Sequence, residues 1–164
     1  MPGALNLIEP KHLLAKLEQE LQAVRADRSN SFAAINTLRD AYHLREWIWH
    51  DRLKNDAALQ TAIMGAPGDE SAWNFWVKRQ FPEFEIVREL CNGSKHFTDR
   101  ATIRATHQAG WDSKVFYWDT PHSSWDDNGF YVVIDTGKMV AVLGLIIRVR
   151  DFWANLFKQF PQLA

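Results

Sequence analysis

The strongest constraint on the fold of this chain is a run of apolar residues at helical spacing near its N-terminus. Glu9 and Pro10 mark a helix start, because proline is favoured in the first helical turn. Apolar residues then recur at intervals of three or four up to about Arg28: Leu13, Leu14, Leu17, Leu21 and Val24. This spacing predicts an amphipathic α-helix that packs its apolar side against a core.

More helices are predicted between this first one and residue 97. Ser31 is a suitable cap for a second helix that reaches about Lys54, and this length is typical of the central member of a bundle. Its predicted apolar stripe consists of Ile35, Leu38, Tyr42, Trp49 and Leu53. Shorter helices are predicted from Ala57 to Met64, after a cap at Asp69, and from Pro82 to a stop at Gly93.

The pattern changes to short strands after residue 98. Ala101–His107 and Val115–Trp118 are predicted strands. Asp135-Thr136-Gly137-Lys138 has the composition of a hairpin turn between two further strands, and a last amphipathic helix ends before Pro161.

These patterns predict one domain of mixed α+β class over residues 1–164, and helices dominate it. The 164 residues are enough for a single hydrophobic core. Residues 1–97 would form a four- or five-helix bundle. Residues 98–164 would form a small C-terminal antiparallel sheet and a closing helix that packs on the core.

Charge and cysteine content narrow the function class. A net charge of -1 and a pI near 6.6 argue against a strongly basic nucleic-acid clamp or a polybasic membrane anchor, but leave room for a local basic patch. The single Cys91 cannot form an internal disulfide, which favours a reducing compartment. The N-terminus lacks the pattern of a signal peptide, and the longest apolar run, Met139 to Ile147, is too short to span a bilayer. We therefore expect a cytoplasmic protein with no membrane association and no cofactor.

A first candidate site lies on the polar side of the second helix, opposite the predicted apolar stripe. Five residues fall within roughly 80° of arc at helical geometry: Arg39, His43, Glu46, Trp47 and His50. One interpretation is a solvated face. The other is a groove for a polar ligand or a partner protein, because a tryptophan among histidines and a glutamate is unusual on a merely solvated face.

The same face has a metal-binding interpretation as well. His43, Glu46 and His50 are spaced i, i+3 and i+7 and could supply three ligands from one helix. Such a site needs a further ligand, for which His96 or Glu89 is the available choice. Since only these two residues can be nominated, and the helix lacks the Glu-x-x-His pair of di-iron sites, we predict no metal.

A second candidate site lies around the end of the helix that contains Cys91. If this helix continues past Gly93, then Arg88, Asn92, Lys95 and His96 share one side of it. If the chain instead turns at Gly93, Asn92 serves the turn, and the two basic side chains complement the negative end of the helix dipole. Sequence alone leaves both interpretations open.

Two motifs carry a family resemblance. The segment YHLREW from Tyr42 to Trp47, followed by CNGSKHF from Cys91 to Phe97, resembles a set of uncharacterised bacterial proteins with a YHxxEW and NxxKH pattern. More remotely, the first hundred residues look like HEPN domains, which are helical bundles of toxin, anti-phage and RNA-processing systems. Many HEPN domains are metal-independent ribonucleases that act through an Arg-x(4-6)-His motif at a dimer interface. Here seven residues separate Arg88 from His96, one more than that motif contains.

The resemblance implies a HEPN-like accessory or effector domain of a bacterial defence, toxin–antitoxin or mobile-element system that binds RNA or a partner protein. In a ribonuclease, His96 with Arg88 or Lys95 would act around the 2′-hydroxyl and the phosphorane charge, and Asn92 would orient the phosphate. The alternative is a non-catalytic interaction, immunity or regulatory module whose Trp47 face docks onto a partner. A homodimer formed through this tryptophan-bearing face is compatible with either hypothesis.

Overall fold

A computed structural model describes residues 7–95, 103–108 and 129–164. Within these ranges the α-helices are α1 (Pro10–Ala26), α2 (Ser31–Ile48), α3 (Ala57–Met64), α4 (Glu70–Gln80), α5 (Phe84–Lys95) and α6 (Val142–Gln159). The strands are β1 (Ile103–Gln108), β2 (Phe130–Ile134) and β3 (Met139–Ala141). The predicted class is confirmed: the protein is mainly helical, with a small antiparallel sheet followed by a closing helix. No helix in these ranges combines the length and the apolar character needed to cross a membrane.

The first two helices pack against each other, and the start of α2 corrects one prediction. α1 buries the predicted leucines at 13, 17 and 21 and Val24. Asn30, rather than Ser31, caps α2, because its side-chain oxygen accepts a hydrogen bond from the Ala33 amide at 3.0 Å. Asn30 still has extended backbone geometry, whereas Ser31 is already the first helical residue and cannot perform the capping role.

The helix α2 is central, since α1, α5 and α6 all pack against it. Its buried residues are Ala33, Ala34, Thr37, Leu38, Ala41, Leu44, Arg45 and Ile48. The predicted apolar stripe does not coincide with this buried face. Two of its members, Ile35 and Tyr42, are only half-buried. Alanines, which contribute little to a hydrophobicity pattern, form much of the contact surface and allow neighbouring helices to approach closely.

Beyond Ile48 the same helix continues as a π-helix over Trp49–Leu53. The Lys54 amide donates to the Trp49 carbonyl at 2.8 Å, which closes the wider turn. From α3, the buried Gln60 amide group donates to the Leu53 carbonyl at 2.7 Å, and its oxygen accepts from the Gly68 amide at 2.9 Å. One glutamine therefore ties the end of the π-helix to the loop before α4.

Two tryptophan side chains attach α4 and α6 to the middle of α2. Trp73 of α4 donates its indole N–H to the Arg45 carbonyl, and Trp153 of α6 donates its own to the Ala41 carbonyl, each at 2.9 Å. Both rings are fully buried. Phe84, the first residue of α5, meets the Trp153 ring edge-on at a centroid distance of 5.9 Å.

The sheet has the order β1-β2-β3, and both pairs are antiparallel. The predicted hairpin turn is confirmed, with hydrogen bonds from Gly137 N to Ile134 O at 2.9 Å and from Ile134 N to Lys138 O at 3.0 Å. Gly137 has a φ of 79°, a conformation that glycine adopts without strain. Helix α6 packs against β2 and β3. The predicted strand Val115–Trp118 lies outside the described residues.

The helix α5 corrects two predicted boundaries. It begins at Phe84 rather than Pro82, and the predicted stop at Gly93 is wrong because the helix runs on to Lys95. Glycine ends a helix by adopting a left-handed backbone, as Gly65 does with a φ of 88° at the end of α3. Among the described glycines, positive φ occurs at Gly65 and Gly137 and not at Gly93.

Replacing Leu38 by alanine should destabilise the protein strongly, because this side chain is 1% exposed where α2 meets its neighbours. A buried leucine-to-alanine change costs about 2–5 kcal/mol of unfolding free energy. Phe32→Ala on the same helix is the control, since that ring is 83% exposed, and we expect a change within about 0.5 kcal/mol. Urea unfolding of both variants measures the difference, and equal losses would contradict the assigned orientation of α2.

Candidate functional site

The polar residues predicted on α2 lie at its surface, but only two of them contact each other. His43 Nδ1 lies 3.0 Å from Glu46 Oε2, and about a third of each side chain is exposed. His50 instead approaches Glu70 of α4, with Nε2 and Oε2 3.7 Å apart. Arg39 is exposed at the edge of this face. The structure thus joins His43 to Glu46 and directs His50 towards a different helix.

Trp47 contributes to packing and does not project from the surface as an anchor for a partner protein would. Its ring is half-buried and packs against the hydrophobic core. Part of its surface still faces solvent, so it borders the polar face without projecting freely from it.

Sequence reasoning missed Arg45, which is the least exposed charged residue of α2. It is 8% exposed, and its Nη2 donates to Glu46 Oε1 at 2.9 Å. Its guanidinium lies 4.6 Å from the centroid of the Tyr42 ring, within cation–π distance. The Arg45 Nε has no hydrogen-bond partner among the described residues. The sequence did carry a signal, because Arg45 stands among the apolar positions of a central helix. Arginines at such positions usually extend their charged end to solvent, so the signal did not predict burial.

Glu46 is therefore a bridge between a buried cation and a surface imidazole. One of its oxygens accepts from Arg45 and the other faces His43 Nδ1. A carboxylate that faces one ring nitrogen determines which nitrogen carries the proton, and leaves the other nitrogen available to a ligand.

The second predicted site is a set of positions on α5. Because α5 is continuous through Gly93, Arg88, Asn92 and Lys95 are at positions i, i+4 and i+7 of one helix and share a face. Arg88 and Asn92 are half-buried. The side chain of Lys95 and the whole of His96 lie outside the described residues. Asn92 is a helical residue here, so it does not serve the turn that the capping interpretation requires.

Arg88 is held by acidic neighbours. Its Nη2 donates to Glu85, and Glu89 Oε1 lies 3.9 Å away. Lys78 of α4 also binds Glu85, at 2.7 Å. Burial raises the pKa of Glu85, but the hydrogen bonds from Arg88 and Lys78 outweigh it and make the net shift downward. The hydrogen bond to Glu85, followed by the charges of Glu85, Glu89 and Tyr42, raises the pKa of Arg88.

Tyr42 packs between α2 and α5. Its ring stacks on Phe84 of α5 at 5.9 Å and meets the His43 ring edge-on at 5.6 Å. Arg45 lies over the same ring, 4.6 Å from its centroid. Tyr42 therefore connects His43 to the packing between α2 and α5.

No metal site is formed by the residues that the structure describes. Among them, no group of three or more His, Cys, Asp or Glu side chains is arranged to hold an ion. His50 pairs with α4 instead of joining His43 and Glu46, and Glu89 lies buried on α5 near Arg88.

Comparison with known proteins does not place the chain in a family. No protein-family model, no curated protein and no solved structure matches it. The resemblance to HEPN domains stays a prediction.

Asp40 is an ionisable group next to this region whose proton uptake is linked to folding. It lies on α2 and pairs with Lys16 of α1. Burial raises the pKa of Asp40, and the hydrogen bond and charge of Lys16, with a smaller effect of His43, only partly oppose the shift. The folded protein therefore binds this proton more tightly than the unfolded chain does.

The stability of the wild type relative to Asp40→Asn should consequently increase as the pH falls. The gain develops as the pH passes down through the raised folded-state pKa towards the ordinary value of 3.8, and is absent at neutral pH. Denaturant unfolding of both proteins across this range measures the effect. Lys16→Met should enlarge it, because Lys16 lowers the pKa of Asp40; a difference that does not vary with pH would contradict the assignment.

Proposed function

We propose that this chain is a HEPN-like helical domain that binds RNA through the face of α5 carrying Arg88, Asn92 and Lys95. It would act in the cytoplasm as an accessory or effector domain of a bacterial defence, toxin–antitoxin or mobile-element system. The observation that carries the proposal is the continuity of α5 through Gly93, which aligns these three positions on one side of a helix.

The chemistry of the three residues suits a phosphodiester backbone. Arginine has a planar guanidinium with several hydrogen-bond donors, and lysine has a flexible side chain that ends in a cation. The asparagine amide both donates and accepts hydrogen bonds. One helical turn separates Arg88 from Asn92 and about another separates Asn92 from Lys95, a rise of roughly 5.4 Å per turn. Such a row can follow successive phosphates and riboses without a strongly basic surface elsewhere.

Glu85 has a defined place in this proposal as a competitor. It accepts a hydrogen bond from Arg88 and holds that guanidinium against α5, while the Arg88 Nε is buried without a hydrogen-bond partner among the described residues. A phosphate that binds Arg88 has to replace Glu85 as its acceptor. The acidic neighbours therefore make binding weak in the absence of further contacts, and sensitive to salt.

Removal of the two cations should lower both RNA affinity and its salt dependence. For single-stranded RNA, each phosphate contact contributes about 0.7 to the slope of log K against log salt, so Arg88→Ala with Lys95→Ala should reduce the slope by roughly 1.4. Fluorescence anisotropy with a labelled oligonucleotide measures this. Arg79→Ala with Lys158→Ala, at exposed positions of α4 and α6, removes the same number of charges and should keep the wild-type slope. No binding by the wild type, or an unchanged slope in the double variant, would refute the proposal.

Glu85→Gln should tighten RNA binding, because it frees the Arg88 guanidinium for phosphate. The change also adds one unit of positive charge, so Glu18→Gln on α1 serves as a control with the same net charge, at a residue whose carboxylate is 3.7 Å from Arg150. We expect a larger gain in affinity for Glu85→Gln than for Glu18→Gln in the same anisotropy assay. Equal gains would mean that Glu85 and phosphate do not compete.

A second candidate, a non-catalytic protein-interaction module, is favoured by one specific observation. Phe75 on α4 is 68% exposed, although large aromatic rings are usually buried. Exposed aromatic side chains are frequent anchors of protein interfaces. The RNA-binding experiment separates the two candidates, because this module predicts no salt-dependent RNA binding by the face of α5.

A further inference from the structure

The outward face of α4 has an exposed aromatic ring at its centre. Phe75 is 68% exposed, whereas Trp73 and Val77, two positions before and after it, are fully buried. At roughly 100° per residue, Phe75 therefore points away from the core, on the opposite side of the helix from these two side chains. A single exposed ring is not unusual in itself, so the groups around Phe75 decide its role.

The helix beneath this ring is fixed in position by its neighbours. Trp76 is half-buried and stacks on the Trp73 ring, with a centroid distance of 5.3 Å and an interplanar angle of 13°. Trp73 is in turn hydrogen-bonded to α2. The Asp69 side chain caps the first turn of α4, since it accepts a hydrogen bond from the Ala72 amide at 2.9 Å. The aromatic surface of Phe75 and Trp76 thus has its geometry before a partner binds, which lowers the entropic cost of docking.

Small residues leave one side of the Phe75 ring accessible. Ser71 and Ala72 precede it by about one turn on the same face of α4, and both are exposed. A bulky side chain at either position would cover the ring. An apolar side chain from outside can therefore lie over Ala72 and against Phe75.

The charged side chains beside this ring are positive. Arg79 follows Phe75 by four residues, is exposed, and has no ion-pair partner among the described residues. Lys78 lies on the same face, but Glu85 of α5 already binds it at 2.7 Å. The single carboxylate within α4, that of Glu70, lies roughly 140° around the helix from Phe75. A carboxylate about one helical turn, roughly 5.4 Å, from an apolar group is therefore the complement of this face.

We propose that the outward face of α4 docks an acidic amphipathic segment of a partner protein. An apolar side chain of that segment packs on Phe75 and Ala72, and a carboxylate one turn away binds the Arg79 guanidinium. This surface is separate from the α5 face proposed for RNA, so the inference does not rest on RNA binding.

Two other occupants match this face less well. A second copy of the chain would bring the same face of α4, which offers no carboxylate to Arg79. RNA would meet the positive charge of Arg79 beside a lysine that Glu85 already neutralises, which is little attraction for a polyanion.

Selection from a random peptide library displayed on phage tests the chemistry of the partner. Peptides selected on the wild type should be enriched in Asp or Glu next to Leu or aromatic residues. One of them, labelled for fluorescence anisotropy, should bind Phe75→Ala at least about 10-fold more weakly. Phe32→Ala is the matched control and should keep the wild-type affinity, because this ring is 83% exposed on α2 but Asn36, rather than an arginine, follows it at i+4.

A charge exchange tests the role of Arg79 in the same assay. Arg79→Glu should weaken binding of the acidic peptide about 10-fold or more, because it places like charges together. A peptide whose contacting carboxylate is replaced by arginine should bind this variant better than it binds the wild type. Unfolding midpoints close to that of the wild type would show that the variants are folded, as expected for exposed positions.

Several results would overturn the proposal. They include a selection that enriches no peptide or only peptides without acidic residues, and equal binding to the wild type and Phe75→Ala. Dimerisation in sedimentation experiments that Phe75→Ala abolishes would assign the face to a second copy. Loss of RNA affinity in Phe75→Ala would assign it to base stacking. RNA binding by α5 is judged separately, because Arg88 and Lys95 are intact in all these variants.

Discussion

Two indole N–H groups determine how the helices of this protein assemble. Trp73 and Trp153 come from α4 and α6, and they donate to the carbonyls of Arg45 and Ala41, which are one turn apart on α2. Each hydrogen bond contributes only about 1 kcal/mol, but the buried rings add a large apolar area and accept few alternative orientations. Since Phe84 packs edge-on against Trp153, the same cluster also positions α5. Because three helices cover the buried face of α2, His43 and Glu46 lie on its solvent-facing side, as does His50 in the π-helical continuation.

The buried charges form a second level of organisation around this core. Arg45, Glu89 and the partly buried Asp40 lie where apolar side chains would pack at lower cost. Arg45 and Asp40 each have a described partner of opposite charge that lies nearer the surface, Glu46 for the first and Lys16 for the second. Burying these charges costs stability, and Arg45 and Asp40 each hold a charged partner in place at the surface.

The sequence predicted the elements of this fold better than it predicted the faces of those elements. Leucines at helical spacing defined α1, and a glycine at the third position of a hairpin turn defined the β2–β3 connection, because both signals are local. The orientation of α2 was harder, since alanines form much of its contact face and carry little hydrophobic signal. Gly93 was misread because a glycine ends a helix only when it adopts a left-handed backbone, which its neighbours in the sequence do not reveal.

In the candidate site, too, contacts within one helix could be predicted from the sequence, whereas contacts between helices could not. The pairing of His43 with Glu46 follows from their spacing of three residues on one helix, and could be anticipated. The proximity of His50 to Glu70 and the burial of Arg45 depend on how the neighbouring helices pack, which one sequence does not reveal. Tyr42, assigned to the apolar stripe, packs against the core and also contacts His43 and Phe84 of α5.

The π-helix at Trp49–Leu53 affects how this chain is aligned with a related sequence. A π-turn accommodates about one more residue than an α-turn. Everything downstream is thereby rotated by roughly 100° relative to an uninterrupted helix. A relative that lacks the extra residue would need a one-position gap between Trp49 and Leu53, and without that gap an alignment would pair inward-facing positions with outward-facing ones.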